Sequence, residues 1–220
     1  SNFAAYENIT SMGTHVFYGC TGMYNCTLSH SMTEIPAYTF AYCTSLSSLA
    51  MQGNTLTSIG DYAFYHCESL KSAYPAVTVT RIGNSAFGHC YNLKNLKFRS
   101  DTTNIGDMAF SDCTSLTIVE FPEGTQSIGK HAFAGDNQLA ELVFRGAAPA
   151  QFDDQAFYGL NATCYYPAED STWTGDKMQQ YGGSIIWQPN DITWHYNPAT
   201  KTLSIDGNGH MNDYWLDEKI

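Results

Sequence analysis

Hydrophobic and polar positions repeat along this chain with a period of 23 or 24 residues. Each period joins two shorter patterns: apolar residues three apart around a phenylalanine, then apolar residues that alternate with other residues. The first pattern suits a single helical or 3₁₀ turn, and the second suits a short strand with one buried face. The phenylalanines that mark the period are Phe17, Phe40, Phe64, Phe87, Phe110, Phe133 and Phe157.

Each phenylalanine has the same neighbours in sequence. An apolar residue stands five positions before it and is usually followed by glycine, as in Ile105-Gly106, and a leucine such as Leu116 usually stands six positions after it. A unit of this size cannot bury a turn and a strand alone, whereas stacked units bury both and place each phenylalanine on the next. The sequence therefore predicts a solenoid of about seven repeats with one curved parallel sheet and helical or 3₁₀ turns opposite.

The unit Ile-Gly-x-x-Ala-Phe-x-x-Cys-x-x-Leu-x-x-Leu-x-Phe resembles the bacterial leucine-rich repeats of the BspA-like type over about residues 9–167. The resemblance implies an α/β solenoid in a bacterial cell-surface or secreted protein, with a non-catalytic role in adhesion or binding. It also implies protein or host-matrix partners. The pattern departs from the family at Ala73 and Pro75, which replace large strand residues, and at Asp136, which replaces a cysteine.

The seven cysteines follow the repeat and not a disulfide or metal framework. Five of them stand three residues after a repeat phenylalanine, while Cys26 and Cys164 fall at strand positions that other repeats fill with leucine or valine. All seven are therefore expected in the core as small buried hydrophobic residues with free thiols. The cysteine count does not decide the compartment, since buried thiols can also persist in a secreted protein.

Two His-Cys pairs occupy equivalent positions in successive repeats, His66-Cys67 and His89-Cys90. Adjacent residues on a turn point in different directions, so we expect the cysteines inside and the histidines outside, and no zinc site. Inward cysteines are poor nucleophiles, and the carboxylates are scattered without an acid–base pair. The sequence therefore predicts neither an enzyme nor a bound cofactor or metal.

The composition narrows the classes of partner. Charged residues make up 14% of the chain and its net charge is −11, which should repel nucleic acid and anionic lipid. No apolar stretch is long enough for a membrane span, and there is no signal peptide. Because Ser1 and Asn2 lie close to the first repeat, we expect an excised part of a longer protein, and we expect it to be a monomer.

Residues that alternate with the buried strand positions should point outward from the parallel sheet and form a strand face. Solenoids commonly bind partners on such a surface. We expect the apolar centre to come from Ile118 and Val143, on the most regular repeats. The predicted binding residues are Asn95, Lys97, Ile118, Glu120, Glu141 and Val143, with Tyr74 and Tyr165.

Three other functions compete with protein binding. A carbohydrate-binding module could use Trp173, Tyr165 and Tyr166 as a platform for sugar rings. A structural spacer would have no ligand. An enzyme on a parallel β-helix is disfavoured, because that fold needs three strands per turn and no helical segment.

The repeat pattern stops after Tyr166-Pro167, and we divide the chain into a solenoid (1–167), a cap (168–188) and a further segment (189–220). In the cap, residues 171–181 read as a short helix and 184–187 as a strand. We expect Trp173, Tyr181, Ile186 and Trp187 to cover the open end of the solenoid. Alternating apolar residues on both sides of a turn at 197–200 predict a β-hairpin, which resembles the segment that leads into a new array in BspA-like proteins.

Overall fold

The computed structural model describes residues 2–4, 9–51, 55–73, 78–96, 98, 104–198 and 200–207. Within these ranges the chain has seventeen strands and no helix. In chain order the strands are β1 (Asn2–Ala4), β2 (Asn25–Leu28), β3 (Glu34–Ile35), β4 (Ser48–Met51), β5 (Ser58–Ile59), β6 (Ser72–Ala73), β7 (Arg81–Ile82), β8 (Asn95–Leu96), β9 (Asn104–Ile105), β10 (Ile118–Phe121), β11 (Ser127–Ile128), β12 (Glu141–Phe144), β13 (Gln151–Phe152), β14 (Asn161–Pro167), β15 (Ser184–Asn190), β16 (Thr193–Asn197) and β17 (Thr202–Asp206).

The first fifteen strands pair in parallel and form two walls of a solenoid. The predicted strands form the first sheet together with β1, which the sequence analysis did not predict. The sheet has three hydrogen-bonded segments that run β1–β2–β4, β6–β8 and β10–β12–β14–β15. The two-residue strands at the Ile-Gly positions form a second sheet, in the order β13–β11–β9–β7–β5–β3. The predicted solenoid is confirmed, but it has two strands per repeat where the sequence analysis expected one parallel sheet.

The turns around the repeat phenylalanines are not helical, so the helical part of the α/β prediction is wrong for the described residues. Residues two before and two after the phenylalanine adopt positive φ, such as Tyr62 at 58° and His66 at 56°. Between them, backbone N–H groups donate to the next repeat, as Phe64 does to the Ala86 carbonyl at 2.7 Å. A right-handed helix would satisfy these groups internally, whereas these turns pair with one another along the solenoid.

The repeat phenylalanines from Phe17 to Phe133 stack in one column, which confirms the predicted column of Phe40, Phe64, Phe87, Phe110 and Phe133. Phe64 and Phe87 lie 5.0 Å apart between ring centroids, and Phe87 and Phe110 lie 5.2 Å apart with nearly parallel rings. Each of these side chains is fully buried. The column holds the turn against the first sheet, because leucines at the start of its strands pack on the same core.

Glycine follows the Ile of the second sheet because successive repeats approach closely there. A Cβ atom built on Gly106 would lie 2.7 Å from the carbonyl carbon of Gly83 and 2.7 Å from Asn84 Oδ1. The same Asn84 oxygen accepts a hydrogen bond from the backbone N–H of Asp107 at 2.9 Å. The glycine is therefore required by the distance between neighbouring turns, and it does more than end a strand.

The cysteines that follow the phenylalanines form a second internal column. Cys67 Sγ donates to the Phe40 carbonyl at 3.2 Å, and Cys90 Sγ donates to the Phe64 carbonyl at 3.3 Å. Six of the seven cysteines are buried as predicted, and none forms a disulfide. Cys20 is only half-buried, since it lies in the first repeat of the array.

Thiol reactivity should follow this burial. Burial raises the pKa of Cys43 to about 11 and that of Cys26 to about 12. We expect a thiol reagent at pH 8 to modify about one group in the folded protein, Cys20, and about seven after denaturation without reductant. About one reactive group after denaturation would contradict this prediction, because it would indicate disulfides.

The C-terminal end of the array is closed by β15 and by turns in place of the predicted helix. Ile185 lies beside Ala162 in the β14–β15 register and is buried, whereas the predicted capping residue Ile186 is exposed. Trp173, Trp187 and Tyr181 contribute to the cap as expected. The predicted hairpin is present as β16 and β17, with Trp194 opposite Ile205, while the division into three domains stays a prediction.

Candidate functional site

The strand face of the first sheet is formed by the outward positions of its parallel strands. From β10 to β15 these positions are in register, so that one row runs through Ile118, Glu141, Thr163 and Ile186. A second row runs through Glu120, Val143, Tyr165 and Gln188. The strand face therefore carries two continuous rows of side chains at the inter-strand step of about 4.8 Å.

The structure places six of the predicted site residues on this face, and five of them have accessible side chains. Ile118, Glu120, Glu141 and Tyr165 are partly exposed, and Asn95 is exposed beside Ser72 on the β6–β8 segment. Lys97 and Tyr74 lie outside the described residues. The central group of the prediction is therefore Ile118, Glu120 and Glu141.

Val143 is the exception, because its side chain is fully buried. It lies on the strand face as predicted, but its register neighbours are the larger Glu120 and Tyr165. Side chains at one inter-strand step are in contact, so the two larger groups flank the short valine on both sides. The prediction of an exposed apolar centre at Val143 is wrong for this reason.

An ion pair on the strand face was missed in the sequence. Arg145 Nη2 lies 2.5 Å from Glu120 Oε2, and both side chains are mostly covered. The backbone N–H of Arg145 also donates to the Phe121 carbonyl at 3.1 Å, which places the arginine just beyond the strand end. The sequence did contain a signal for this ion pair. An arginine directly follows the strand phenylalanine of one repeat, and a glutamate lies on the strand of the preceding repeat.

Ile186 is the second residue that sequence reasoning assigned to the wrong place. It lies beside Thr163 on the strand face and is 57% exposed. Strand alternation requires that Ile185 and Ile186 point to opposite faces, and the register of β15 sends Ile185 to the core. The row of Ile118, Glu141, Thr163 and Ile186 therefore has an apolar residue at each end.

The residues proposed as a sugar platform do not form one. Trp173 is buried against Phe144, at 4.8 Å between ring centroids, and its Nε1 donates to the Gly146 carbonyl at 2.9 Å. Tyr166 is partly buried and packs on the same core, 5.6 Å from the Trp173 ring. Trp173 is thus a capping residue, and the carbohydrate hypothesis loses its main side chain.

The histidine–cysteine pairs are divided between outside and inside as expected. Cys67 and Cys90 are buried, while His66 and His89 are partly exposed on the turns. Burial raises the pKa of the Cys67 thiol, and neighbouring thiols raise it further, which disfavours the nucleophilic thiolate. Across the described ranges, no cluster of three or more His, Cys, Asp or Glu side chains could hold a metal ion.

Comparison with known proteins gives the same repeat architecture. The model of the BspA type leucine-rich repeat region, in six copies, matches residues 1–74 and 33–164. A comparison with curated proteins gave no match.

Among solved structures, a leucine-rich repeat protein of T. pallidum is 25% identical over 74% of this chain and 73% of its own, with a TM-score of 0.63. A leucine-rich repeat protein from Bacteroides ovatus is 17% identical over 85% of this chain and 69% of its own, with a TM-score of 0.47. A leucine-rich cell surface protein from Faecalibacterium prausnitzii is 18% identical over 80% and 63%, with a TM-score of 0.40. On the repeat-region match, which spans most of the sequence, this chain belongs to the family of BspA-type leucine-rich repeat proteins.

Proposed function

We propose that this chain is a non-catalytic binding or adhesion module of a bacterial surface or secreted protein, and that it binds protein partners through the strand face. The matched family is a leucine-rich repeat family, and such families are generally non-enzymatic, which supports the non-catalytic part. The burial of six of the seven thiols also supports it, because burial disfavours the nucleophilic thiolate. No helix in the described part of the chain is long and apolar enough to cross a membrane.

The observation that carries the proposal is the row from Ile118 to Ile186. Its four residues lie on four adjacent hydrogen-bonded strands, so their backbone is already ordered before a partner arrives. A preorganised surface loses little entropy on binding. Two isoleucines at the ends, with Glu141 and Thr163 between them, combine apolar contact with polar groups that can select a partner.

The charge of the chain indicates which partners this face favours. The net charge is −11, and Glu141 places a carboxylate between the two isoleucines of the row. Partners with apolar residues around a basic group would complement the row. Animal matrix proteins are the class that we propose to test, because the family resemblance implies host-matrix partners.

The proposal predicts the effect of charge on the two isoleucines. The double variant Ile118→Lys/Ile186→Lys should weaken binding to a responsive protein, from a panel of purified animal extracellular matrix proteins, by at least tenfold. Surface plasmon resonance would measure the affinity, and the melting temperature should stay nearly constant because neither side chain is in the core. Val143→Lys is unsuitable, since a lysine at that buried position would disturb the fold.

A charge-matched control separates the strand face from the rest of the surface. Met108 and Ile205 are exposed apolar residues away from the strand face, at 44% and 49% exposure. Met108→Lys/Ile205→Lys adds the same two charges and should leave binding unchanged. Equal losses in both double variants would contradict a strand-face site, and no binding to any protein of the panel would favour the structural spacer.

A further inference from the structure

Rings of tyrosine and histidine form a partly exposed array on the turns of the first four repeats, outside the strands of the strand face. We call this array the ring surface. One column stacks His15, Tyr38 and Tyr62, with centroids 4.7 and 4.8 Å apart and rings within 9° of parallel. Its members are His15, Tyr18, Tyr38, Tyr42, Tyr62, Tyr65, His66, His89 and Tyr91.

A second column runs beside the first and is equally regular. Tyr42 stacks on His66 at 5.0 Å, and His66 stacks on His89 at 4.4 Å. Tyr65 lies between the columns with its ring nearly perpendicular, 5.3 Å from Tyr62 and 5.1 Å from His89. The neighbouring rings therefore hold these side chains in place without any partner, so ordering them on binding costs little.

The rings are not required by the shape of the turn. Tyr42, His66 and His89 have positive φ, in the left-handed region that is unfavourable for most side chains. In other repeats the same position, two residues after the phenylalanine, is filled by Gly135 and Gly159. The fold thus accepts glycine there, and the rings in repeats two to four add a surface at a conformational cost.

Carboxylates border the ring surface. Glu68 Oε1 lies 3.3 Å from His66 Nδ1, and Asp112 Oδ2 lies 3.4 Å from His89 Nδ1. Both carboxylates remain more than 40% exposed. Because the chain as a whole is acidic, the surface is complementary to a cationic partner.

Two features favour a basic peptide over a sugar. Sugar rings stack on open aromatic faces, whereas the faces within both columns are covered by the next ring, so that a partner would reach mainly the ring edges. Phenol oxygens and carboxylates at those edges can accept the donors of an arginine, while ring edges contact its methylene groups. The array spans four turns, about 14 Å, which matches about four residues of an extended chain.

We propose that the ring surface is a second binding site, distinct from the strand face, for an extended segment of a partner protein that carries arginine and lysine side chains. The segment would lie along the solenoid axis, with its basic side chains between the tyrosines and reaching Glu68 and Asp112. The site goes beyond the strand-face function and does not depend on it.

The histidines make this binding dependent on pH. Burial lowers the pKa of His89, as does the neighbouring His66, and Asp112 and Glu68 oppose this effect. Protonation of His89 at acidic pH would place positive charge under the bound segment and repel it. The groups that face the two imidazoles are Tyr42, Tyr65, Glu68, Tyr91 and Asp112.

The test uses the whole chain and a fluorescein-labelled decapeptide of alternating arginine and glycine, with fluorescence anisotropy as the readout. Glu68→Gln/Asp112→Asn should raise the Kd at least tenfold at pH 7.5, and Asn suits the positive φ of residue 112. Glu123→Gln/Glu169→Gln removes two exposed carboxylates elsewhere and is the charge-matched control. Equal losses in both variants would overturn the proposal, because they would show attraction to net charge alone.

A second variant removes rings without changing the charge. Tyr42→Gly/Tyr91→Thr introduces residues that other repeats carry at the same positions, namely Gly135 and Thr114, so the turn should be retained. The Kd of this double variant for the peptide should be at least tenfold higher than that of the wild type. In the wild type, the Kd should rise at least threefold from pH 7.5 to pH 5.5. Unchanged peptide binding in this variant would overturn the proposal. Binding of a neutral hexasaccharide that disappears in the same variant while peptide binding remains would overturn it in favour of a glycan site.

Discussion

Replacing Phe87 by alanine should lower the free energy of unfolding by about 3–5 kcal/mol, the usual loss for a buried aromatic residue. Phe87 is fully buried and stacks between Phe64 and Phe110, with centroids at 5.0 and 5.2 Å. Its removal would leave a cavity between two repeats and interrupt the column. Equilibrium unfolding in urea, followed by circular dichroism, would measure the loss.

The same substitution at the end of the column is the matched control. Phe17 occupies the equivalent position in the first repeat but is only partly buried, with Phe40 stacked on it at 5.2 Å. Phe17→Ala should therefore cost clearly less than Phe87→Ala, because part of the site is already open to solvent. Similar losses at both positions would show that the column is not what holds neighbouring repeats together.

Replacing Asp136 by cysteine should raise the free energy of unfolding at pH 7 by about 1–3 kcal/mol, the cost of a buried polar group without hydrogen bonds. Asp136 stands where five other repeats carry the cysteine of the internal column. It is buried, and neither carboxyl oxygen has a hydrogen-bonding partner in the described part of the chain. A cysteine there would donate to the Phe110 carbonyl, as Cys113 donates to the Phe87 carbonyl at 3.2 Å.

The increase in the free energy of unfolding on Asp136→Cys should be larger at higher pH. Burial raises the pKa of Asp136 well above its usual value, and the nearby Asp112 carboxylate raises it further. The backbone N–H of Cys113 lies close enough to oppose this in part, but it does not reach hydrogen-bond geometry with either carboxyl oxygen. The folded state therefore keeps a proton that the unfolded chain releases at the ordinary aspartate pKa of about 3.9. The wild type is therefore most stable, as far as Asp136 is concerned, below about pH 4. Its stability falls as the pH rises towards the folded-state pKa, because unfolding then releases the proton.

Urea unfolding of the wild type and of Asp136→Cys at pH 4 and pH 7 would measure this effect. The advantage of the variant should be larger at pH 7, where the wild type bears the cost of the buried carboxyl. Asp154→Asn, at an exposed carboxylate one repeat later, removes the same charge and should change stability little at either pH. If the stability difference between Asp136→Cys and the wild type were the same at both pH values, the pKa of Asp136 would not differ between the folded and unfolded states.

The repeat period by itself determined the parts of the fold that depend on equivalent positions. Residues with the same offset from each phenylalanine are stacked by a parallel solenoid, so the phenylalanine column and the cysteine column could be read directly from the sequence. The register of the first sheet follows from the same offsets, including Ile118 beside Glu141. The hairpin could also be predicted, because alternation and a turn are local signals.

The nature of the turns was decided by contacts between repeats. Apolar residues three apart indicate a helical turn when a single repeat is considered. In the structure the backbone groups of these turns pair with the next repeat, as His66 N–H does with the Gly88 carbonyl at 2.9 Å. The second sheet arises in the same way, since two residues per repeat have no strand pattern and pair only when the repeats stack.

The candidate sites too were determined partly by the sequence and partly by the tertiary structure. The sequence determined which side chains lie on the strand face, because alternation along a strand is a local property. Tertiary structure decided which of them are accessible, since burial of Val143 depends on Glu120 and Tyr165 from the neighbouring strands. It also decided that Ile186 faces outward and that nine rings form one surface, because both depend on side chains from different repeats that meet at one inter-strand step.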